Sequence, residues 1–197
     1  VFIIPTTVDT DKFRRIDTIT AKDKICIGWT GSHTTIKHFH LAVPFLKELK
    51  KKYGDKIYFK VIGDGSLNIP ELEVKAVKWS GETEVEDLLE IDIGIMPLPD
   101  DVWSKGKCGL KSLEYMSLGI PPVISPVGVN TEIVQDGIKG FLATTDKEWI
   151  DKISMLIESP ELSKKIGELA RQTADEKYSV KAQRGAYLKL LNDLIKE

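Results

Sequence analysis

The sequence predicts a doubly wound α/β domain, a parallel sheet with helices packed on both faces. Three observations carry that prediction. Short, almost wholly apolar runs recur along the chain, as strands buried on both sides require. Stretches with helical apolar spacing separate them. Glycine, proline or small polar residues close most of the runs.

The elements run in order along the chain. Residues 1–4 are strand-like, and the rest up to residue 24 is polar, with Thr6, Thr7 and Asp9 marking a turn. The first buried strand is 25–29, stopping at Gly31. Ile36, Phe39, Val43, Leu46 and Leu49 give residues 34–53 a helical stripe. Pro44, lacking an N–H, is expected to bend or locally break that helix. Residues 57–62 form the second strand, ending at Gly63-Asp64-Gly65, and 74–79 the third, ending at Ser80-Gly81. A short acidic helix, 82–90, buries Val85, Leu88 and Leu89. The fourth strand is 91–96, and 97–107 reads as a long loop. A helix over 110–118 ends at Gly119, a good C-terminal cap. Strands at 122–125 and 140–143 flank a helix from Asn130 to Gly137. Three helices close the chain. Trp149, Ile153, Leu156 and Ile157 mark the first, and Ser159-Pro160-Glu161 opens the second. Tyr187, Leu191, Leu194 and Ile195 stripe the third.

Composition bounds the function classes. Of 197 residues, 42% are hydrophobic and 29% charged, which excludes disorder, a collagen repeat and a disulfide scaffold. The formal charge of −2 gives no general pull toward nucleic acid or anionic lipid. No apolar run reaches the roughly 18–20 residues of a membrane span. Cys26 and Cys108, far apart in sequence, read as reduced thiols of a cytoplasmic protein. The opening Val-Phe-Ile-Ile-Pro, without methionine or signal pattern, reads as the middle of a longer chain.

Ligands of such folds bind beyond the carboxyl ends of the strands, so function is sought there. Gly28-Trp29-Thr30-Gly31-Ser32 joins the first strand to a helix. A glycine turn before a helix suits phosphate but equally serves as a plain turn. It is neither a GxGxxG nor a GxxxxGK[ST] pattern, which disfavours nicotinamide cofactors and P-loop chemistry. Lys37, just inside the helix, either adds a cation or is a solvated surface residue. Lys105-Gly106-Lys107-Cys108-Gly109-Leu110-Lys111 is the densest cationic, flexible stretch and precedes a helix, which favours a diphosphate over a solvated loop. Glu114, beside the apolar Leu113, needs a partner: two ribose hydroxyls or a lysine. Asp9-Thr10-Asp11 is read as a turn rather than a metal pair. His33, His38 and His40 share no helix face and have no cysteine nearby, so no zinc site is expected. There is no G-x-S-x-G elbow. Asp100 and Asp101 read as solvated, with sugar contact as the other reading.

In order and spacing, these residues resemble the C-terminal half of GT-B glycosyltransferases, specifically glycosyltransferase family 4. Ile3-Ile4-Pro5…Val8-Asp9…Phe13 is similar to that family's interdomain segment, and Gly31 with Lys37 to its Gly-Arg…Lys element. Val61-Ile62-Gly63-Asp64-Gly65 resembles its VGDG strand end, and 92–97 its strand before the donor loop. Gly109-Leu110…Leu113-Glu114-Tyr115-Met116…Gly119-Ile120-Pro121-Pro122-Val123 resembles its FGL…LEAMACGKPVV block. Gly128 to Glu132, Gly137 and Gly140-Phe141-Leu142 match the family's next segment.

The resemblance implies a Rossmann-like domain binding a UDP- or GDP-linked sugar, as part of a hexosyltransferase that retains anomeric configuration without a cofactor or bound metal. Gly31, Ser32, Lys37, Gly109 and Leu110 would contact the diphosphate, and Glu114 the ribose. Val77, Lys78 and Trp79 would line the base. The loop from Pro97, with Gly106, Lys107 and Cys108, would face the sugar. Lys37, Lys107 and Lys111 would stabilise the departing diphosphate. Residues 1–24 would be interdomain, 25–179 the nucleotide-sugar domain, and 180–197 a helix crossing to an N-terminal acceptor-binding half, where its apolar stripe finds cover. This chain would then be inactive alone, and membrane association at the inner face would come through the other half. The family's phosphate-site arginine falls at Ser32, and its donor-site glutamate at Gly106. The second departure supports an alternative, a non-catalytic nucleotide-binding or interaction module, and an epimerase-like domain, which shares the architecture, is the other.

Overall fold

The computed structural model describes residues 3–14 and 23–195. Residues 1–2 of the expected first strand, 15–22 of the entry segment and 196–197 lie outside them. Six strands form one parallel sheet: β1 Ile25–Thr30, β2 Ile57–Gly63, β3 Lys75–Lys78, β4 Ile93–Met96, β5 Pro122–Ile124 and β6 Phe141–Leu142, in the order β3-β2-β1-β4-β5-β6. The parallel α/β class read from the sequence is the observed one. β1 pairs along its whole length with β2, Ile25 opposite Ile57 and Thr30 opposite Ile62. With β4 it pairs only at Ile27–Ile93 and Gly28–Gly94. The order reverses direction between β1 and β4, the position where doubly wound sheets open a ligand crevice.

Side-chain alternation builds two cores. Ile27, Trp29, Phe59, Val61, Ile93, Ile95 and Val123 face one layer, with Phe45, Leu46 and Leu49 of helix α2 (Val43–Tyr53) and Trp149 and Ile153 of α7 (Asp146–Glu158). The Phe45 and Trp149 rings stack at 4.8 Å. Cys26, Ile62, Met96 and Ile124 face the other layer, with Leu113, Tyr115 and Met116 of α5 (Leu110–Ser117) and Ala170 of α8 (Pro160–Thr173). Burial of these side chains is the main stabilising contribution, about 1.5–3 kcal/mol for each large one.

Several elements differ from expectation. The long helix with Pro44 is two helices, α1 (Ile36–Phe39) and α2, joined by a tighter 3-10 turn at His40–Ala42. The expected local break is present, and Pro44 lies just after it, in the first turn of α2 where no N–H is needed. The acidic helix is shorter, α3 at Glu84–Leu89. The expected 97–107 loop contains a helical turn, α4 (Val102–Lys105), capped by Asp101, whose carboxylate accepts the Ser104 amide at 2.6 Å. Asp100 and Asp101 are both exposed, as expected, and Asp100 also makes a surface pair with Lys105 at 2.8 Å. α6 (Asn130–Ile133) stops short of Gly137. Gly119 follows α5 at φ +67, as a cap should, and Ser159 caps α8.

Residues 3–7 form no strand. Val8 instead bridges to Ser179 through Val8 N–H to Tyr178 O at 2.9 Å and Val180 N–H to Val8 O at 3.2 Å. The Asp9 carboxylate accepts the Asp11 and Lys12 amides, giving the expected turn. Arg171 binds the carbonyls of Thr10, Phe13 and Ser117, tying this segment to α8 and α5. After α8 the chain passes through a π-helical turn, Ala174–Tyr178, into α9 (Val180–Ile195), whose Tyr187, Leu191, Leu194 and Ile195 are exposed. Among the described residues, no helix is long and apolar enough to cross a membrane.

Candidate functional site

The strand ends at the β1–β4 reversal enclose a cleft of ≈680 Å³. Of the residues singled out from sequence, Gly31, Ser32, Lys78, Trp79, Gly106, Lys107, Cys108, Gly109, Leu110, Lys111 and Glu114 line it. The topology brings them together: 31–32 leave β1, 78–79 leave β3, and 106–114 run from α4 into α5. Val77, Pro97 and Lys37 lie outside the lining. Val77 is half-buried within β3 opposite Ile62, Pro97 is buried behind β4, and Lys37 is exposed on α1.

Gly109 sets the entry to α5. Its φ of +72 turns the chain into the helix, and a Cβ there would lie 2.3 Å from Ile133 Cδ1. The free N–H groups of the first turn and the positive helix end therefore face the cleft beside Lys107 and Lys111. Lys111 is half-buried; burial lowers its pKa, and Lys107 lowers it further against the opposing pull of Glu114. An anion arriving there relieves that repulsion. His38, buried under this wall, is pushed below the usual imidazole range by burial and then by Lys107, Lys37 and Lys111. Lys37 therefore acts on the same neighbourhood electrostatically.

Glu114 lines the cleft at only 8% exposure. Burial pushes its pKa up to about 7, Glu84 adds to the rise, and Lys111 and Lys12 oppose it. No described protein group hydrogen-bonds its carboxylate, so the lysine salt bridge considered from the sequence is not formed. A buried acceptor pair open to a cleft suits a ligand carrying hydroxyl donors.

Two other lining residues carry no predicted role in ligand binding: His33, weighed only as a zinc ligand, and Glu84. His33 Nδ1 lies 3.2 Å from Asp64 Oδ2, and Asp64 also accepts from the amide and hydroxyl of Ser66. Glu84 accepts the Trp79 Nε1–H at 2.9 Å and pairs with Lys12 at 3.1 Å. In sequence, Glu84 looks like an ordinary acid in the first turn of a helix, and nothing in its spacing ties it to Trp79. Among the described residues, no three metal-binding side chains gather. Cys26 is buried and Cys108 exposed, with no disulfide between them.

The family model described as "Glycosyl transferases group 1" matches residues 24–159. Trehalose synthase of Pyrococcus horikoshii is 31% identical over 86 residues, which are 44% of this chain and 21% of that protein. The match thus spans about a fifth of that relative's length. Among solved structures, the C-terminal domain of a glycosyl transferase group 1 family protein (LpcC) from Francisella tularensis aligns with a TM-score of 0.68 at 20% identity, covering 88% of this chain and 99% of that one. A glycosyltransferase from Rickettsia africae ESF-5 gives 0.76 at 18% identity, over 100% and 57%. Anabaena Alr3699/HepE, solved in complex with UDP-glucose, gives 0.74 at 17% identity, over 95% and 56%. At these identities the structural likeness establishes the shared fold.

Proposed function

The chain belongs to the glycosyl transferases of group 1, and from that premise we propose that it is the donor-binding domain of a retaining glycosyltransferase, holding a nucleotide-linked sugar in the β1–β4 cleft. The observation that carries this reading is Glu114, a buried carboxylate without a protein partner among the described residues, opening onto a cleft beside two lysines and a helix N-terminus. Such a wall suits a nucleoside diphosphate: cations and N–H donors for the phosphates, a carboxylate for vicinal ribose hydroxyls, and Trp79 for a base. The UDP-glucose bound by the Anabaena structure supports a nucleotide-sugar as the ligand class.

In the reaction so proposed, the bond from the anomeric carbon to the diphosphate oxygen breaks, the diphosphate leaves with the electron pair, and the acceptor hydroxyl oxygen bonds to that carbon on the same face as its proton passes to the departing diphosphate. Lys107 and Lys111 would stabilise that charge together with the amides at the start of α5, and no metal is required. Lys37 would contribute from outside the lining, through the field it shares with both lysines. The acceptor would be bound by a second domain facing this cleft, with residues 25–179 as the donor half and α9 crossing toward the other. This chain alone would bind donor without transferring sugar. A cytoplasmic protein, with any membrane contact made through the second half, fits that arrangement.

Calorimetry with UDP, GDP and their sugars tests the reading. We expect nucleoside diphosphate binding, weakened by Glu114→Ala by roughly 1–3 kcal/mol for the lost buried partner; no binding of any nucleotide overturns it. A second reading has its own observation. Gly106 lines the cleft where the resemblance places a glutamate, which favours a non-catalytic nucleotide-binding module. Full-length protein that binds a sugar nucleotide, yet neither hydrolyses nor transfers it across an acceptor panel, supports that module. A changed sugar without acceptor indicates an epimerase.

A further inference from the structure

Resting on the reading that the cleft holds a nucleoside diphosphate, we propose that Glu84 is the positioning residue that fixes the Trp79 indole as the stacking platform for the base. Trp79 is 49% exposed, and a tryptophan that open would ordinarily sample several rotamers. Here it is tied at both ends. Its backbone N–H donates to Gly63 O at 3.2 Å, anchoring it to the end of β2. Its Nε1–H donates to Glu84 Oε1 at 2.9 Å. The Glu84 side chain is only 13% exposed, and its second oxygen takes Lys12 Nζ at 3.1 Å.

The ring plane is therefore set before a ligand arrives, and holding a side chain in its bound orientation removes an ordering cost from binding. The placement fits a base. The platform leaves β3 at one side of the cleft, whereas Lys107, Lys111 and Glu114 belong to the other, beyond β1 and β4. A ligand spanning the two walls needs an anionic end, hydroxyl donors and a flat aromatic end. Lys12 braces Glu84 from the entry segment, outside the family-matched residues 24–159, and Arg171 holds that segment through the Thr10 and Phe13 carbonyls. The exposed Lys12 contact contributes little by itself; Glu84 is the residue on which the platform depends.

Tryptophan fluorescence titration with UDP and with GDP tests this on the wild type, Trp79→Phe, Glu84→Ala, Glu84→Gln and the double variant Trp79→Phe/Glu84→Ala. Nucleotide should quench the wild type. Trp79→Phe should lose that quench and, read by calorimetry, bind several-fold more weakly because the ring keeps its face but loses the N–H. Glu84→Ala should weaken binding about tenfold, and Glu84→Gln, whose amide oxygen still accepts from the indole, should stay within about twofold of the wild type. The double variant should bind no more weakly than Glu84→Ala alone, since both changes remove one interaction. Unchanged affinity in Glu84→Ala, or losses that multiply in the double variant, overturn the proposal while leaving the nucleotide reading intact. If Glu84→Ala does not fold, unchanged affinity in Trp79→Phe overturns it. Failure of the wild type to bind either nucleotide overturns both.

Discussion

The phenol oxygen of Tyr115 accepts the backbone N–H of Thr30 at 3.0 Å, from beneath the sheet. Direct pairing between β1 and β4 ends at Gly28–Gly94, and Tyr115, fully buried on α5, supplies the next contact from the helix layer. The ring needs Gly94 beneath it, because a Cβ there would lie 2.5 Å from Tyr115 Cγ. Tyr115→Phe leaves the buried Thr30 amide without its partner. A loss of about 1–3 kcal/mol is expected, read by urea or thermal unfolding. The strand end that leads into Gly31 loosens with it, so nucleotide affinity should fall as well.

Glu114→Gln should make the protein more stable at pH 8 and a poorer nucleotide binder. The carboxyl titrates at about 7 in the fold against an ordinary 4.5. Its folded form therefore holds a proton that the unfolded chain releases, and stability falls as pH rises between those values. The full penalty above pH 7 is on the order of 3 kcal/mol. Unfolding of both proteins from pH 4 to 8 checks this: the curves should coincide at the acid end and diverge upward. Parallel curves would mean that the carboxylate is not strained by its burial.

Lys60 is wholly buried, with its ammonium 2.9 Å from Asp87 Oδ1 and 3.2 Å from Glu90 Oε2, and it also donates to the Asp87 carbonyl. Lys60→Ala leaves two carboxylates that water reaches, with Glu90 still paired to Lys75, so the expected loss is about 1–3 kcal/mol, from the lost charge-assisted hydrogen bonds and the Asp87 carbonyl left without its donor. Burial pushes the Glu90 carboxyl up, but Lys75 and Lys60 outweigh it and hold it below its ordinary value. That contribution is present above the unfolded pKa and lost as pH falls through the lower, folded one. The gap between wild type and variant should accordingly narrow below pH 4, measured by chemical denaturation.

Cys108 is exposed and lines the cleft, whereas Cys26 is buried. A maleimide should label Cys108 alone in the native protein, and saturating UDP or GDP should slow that labelling several-fold. Peptide mapping by mass spectrometry identifies the site. Labelling at the same rate with and without nucleotide would place the ligand elsewhere.

Much of this architecture is legible in the sequence because its cause is local. The runs around Ile27, Ile95 and Val123 are apolar on both faces, as a covered parallel strand requires, and Gly109 and Gly119 bracket α5 with the backbone freedom its two ends need. The lysines and Glu114 can be grouped because they fall within one loop and the helix after it. The hidden features have no periodic signature, or join residues of different elements. α4 gives no periodic signal, since Val102 and Trp103 point outward at 90% and 74% exposure. The tie between Glu84 and Trp79 crosses a turn, and the bridge between Val8 and Ser179 joins segments that share no pattern. Pro44 is ambiguous for a different reason: a missing N–H breaks a helix interior but suits a helix start, and the tighter turn ahead of it decides which applies.

The Val8–Ser179 bridge also has a mechanical meaning. The incoming segment and the outgoing helix lie side by side, clasped by two backbone hydrogen bonds and by the Arg171 guanidinium beneath. A load applied between residues 3–7 and α9 falls first on this clasp, not on the six-stranded sheet. Two hydrogen bonds against a six-pair ladder make the clasp the expected first point of rupture under tension, before β1 parts from β2. The β1–β4 cleft rests on that ladder and on α5, not on the clasp, so the two ends of the chain are tied to each other independently of the walls that line it.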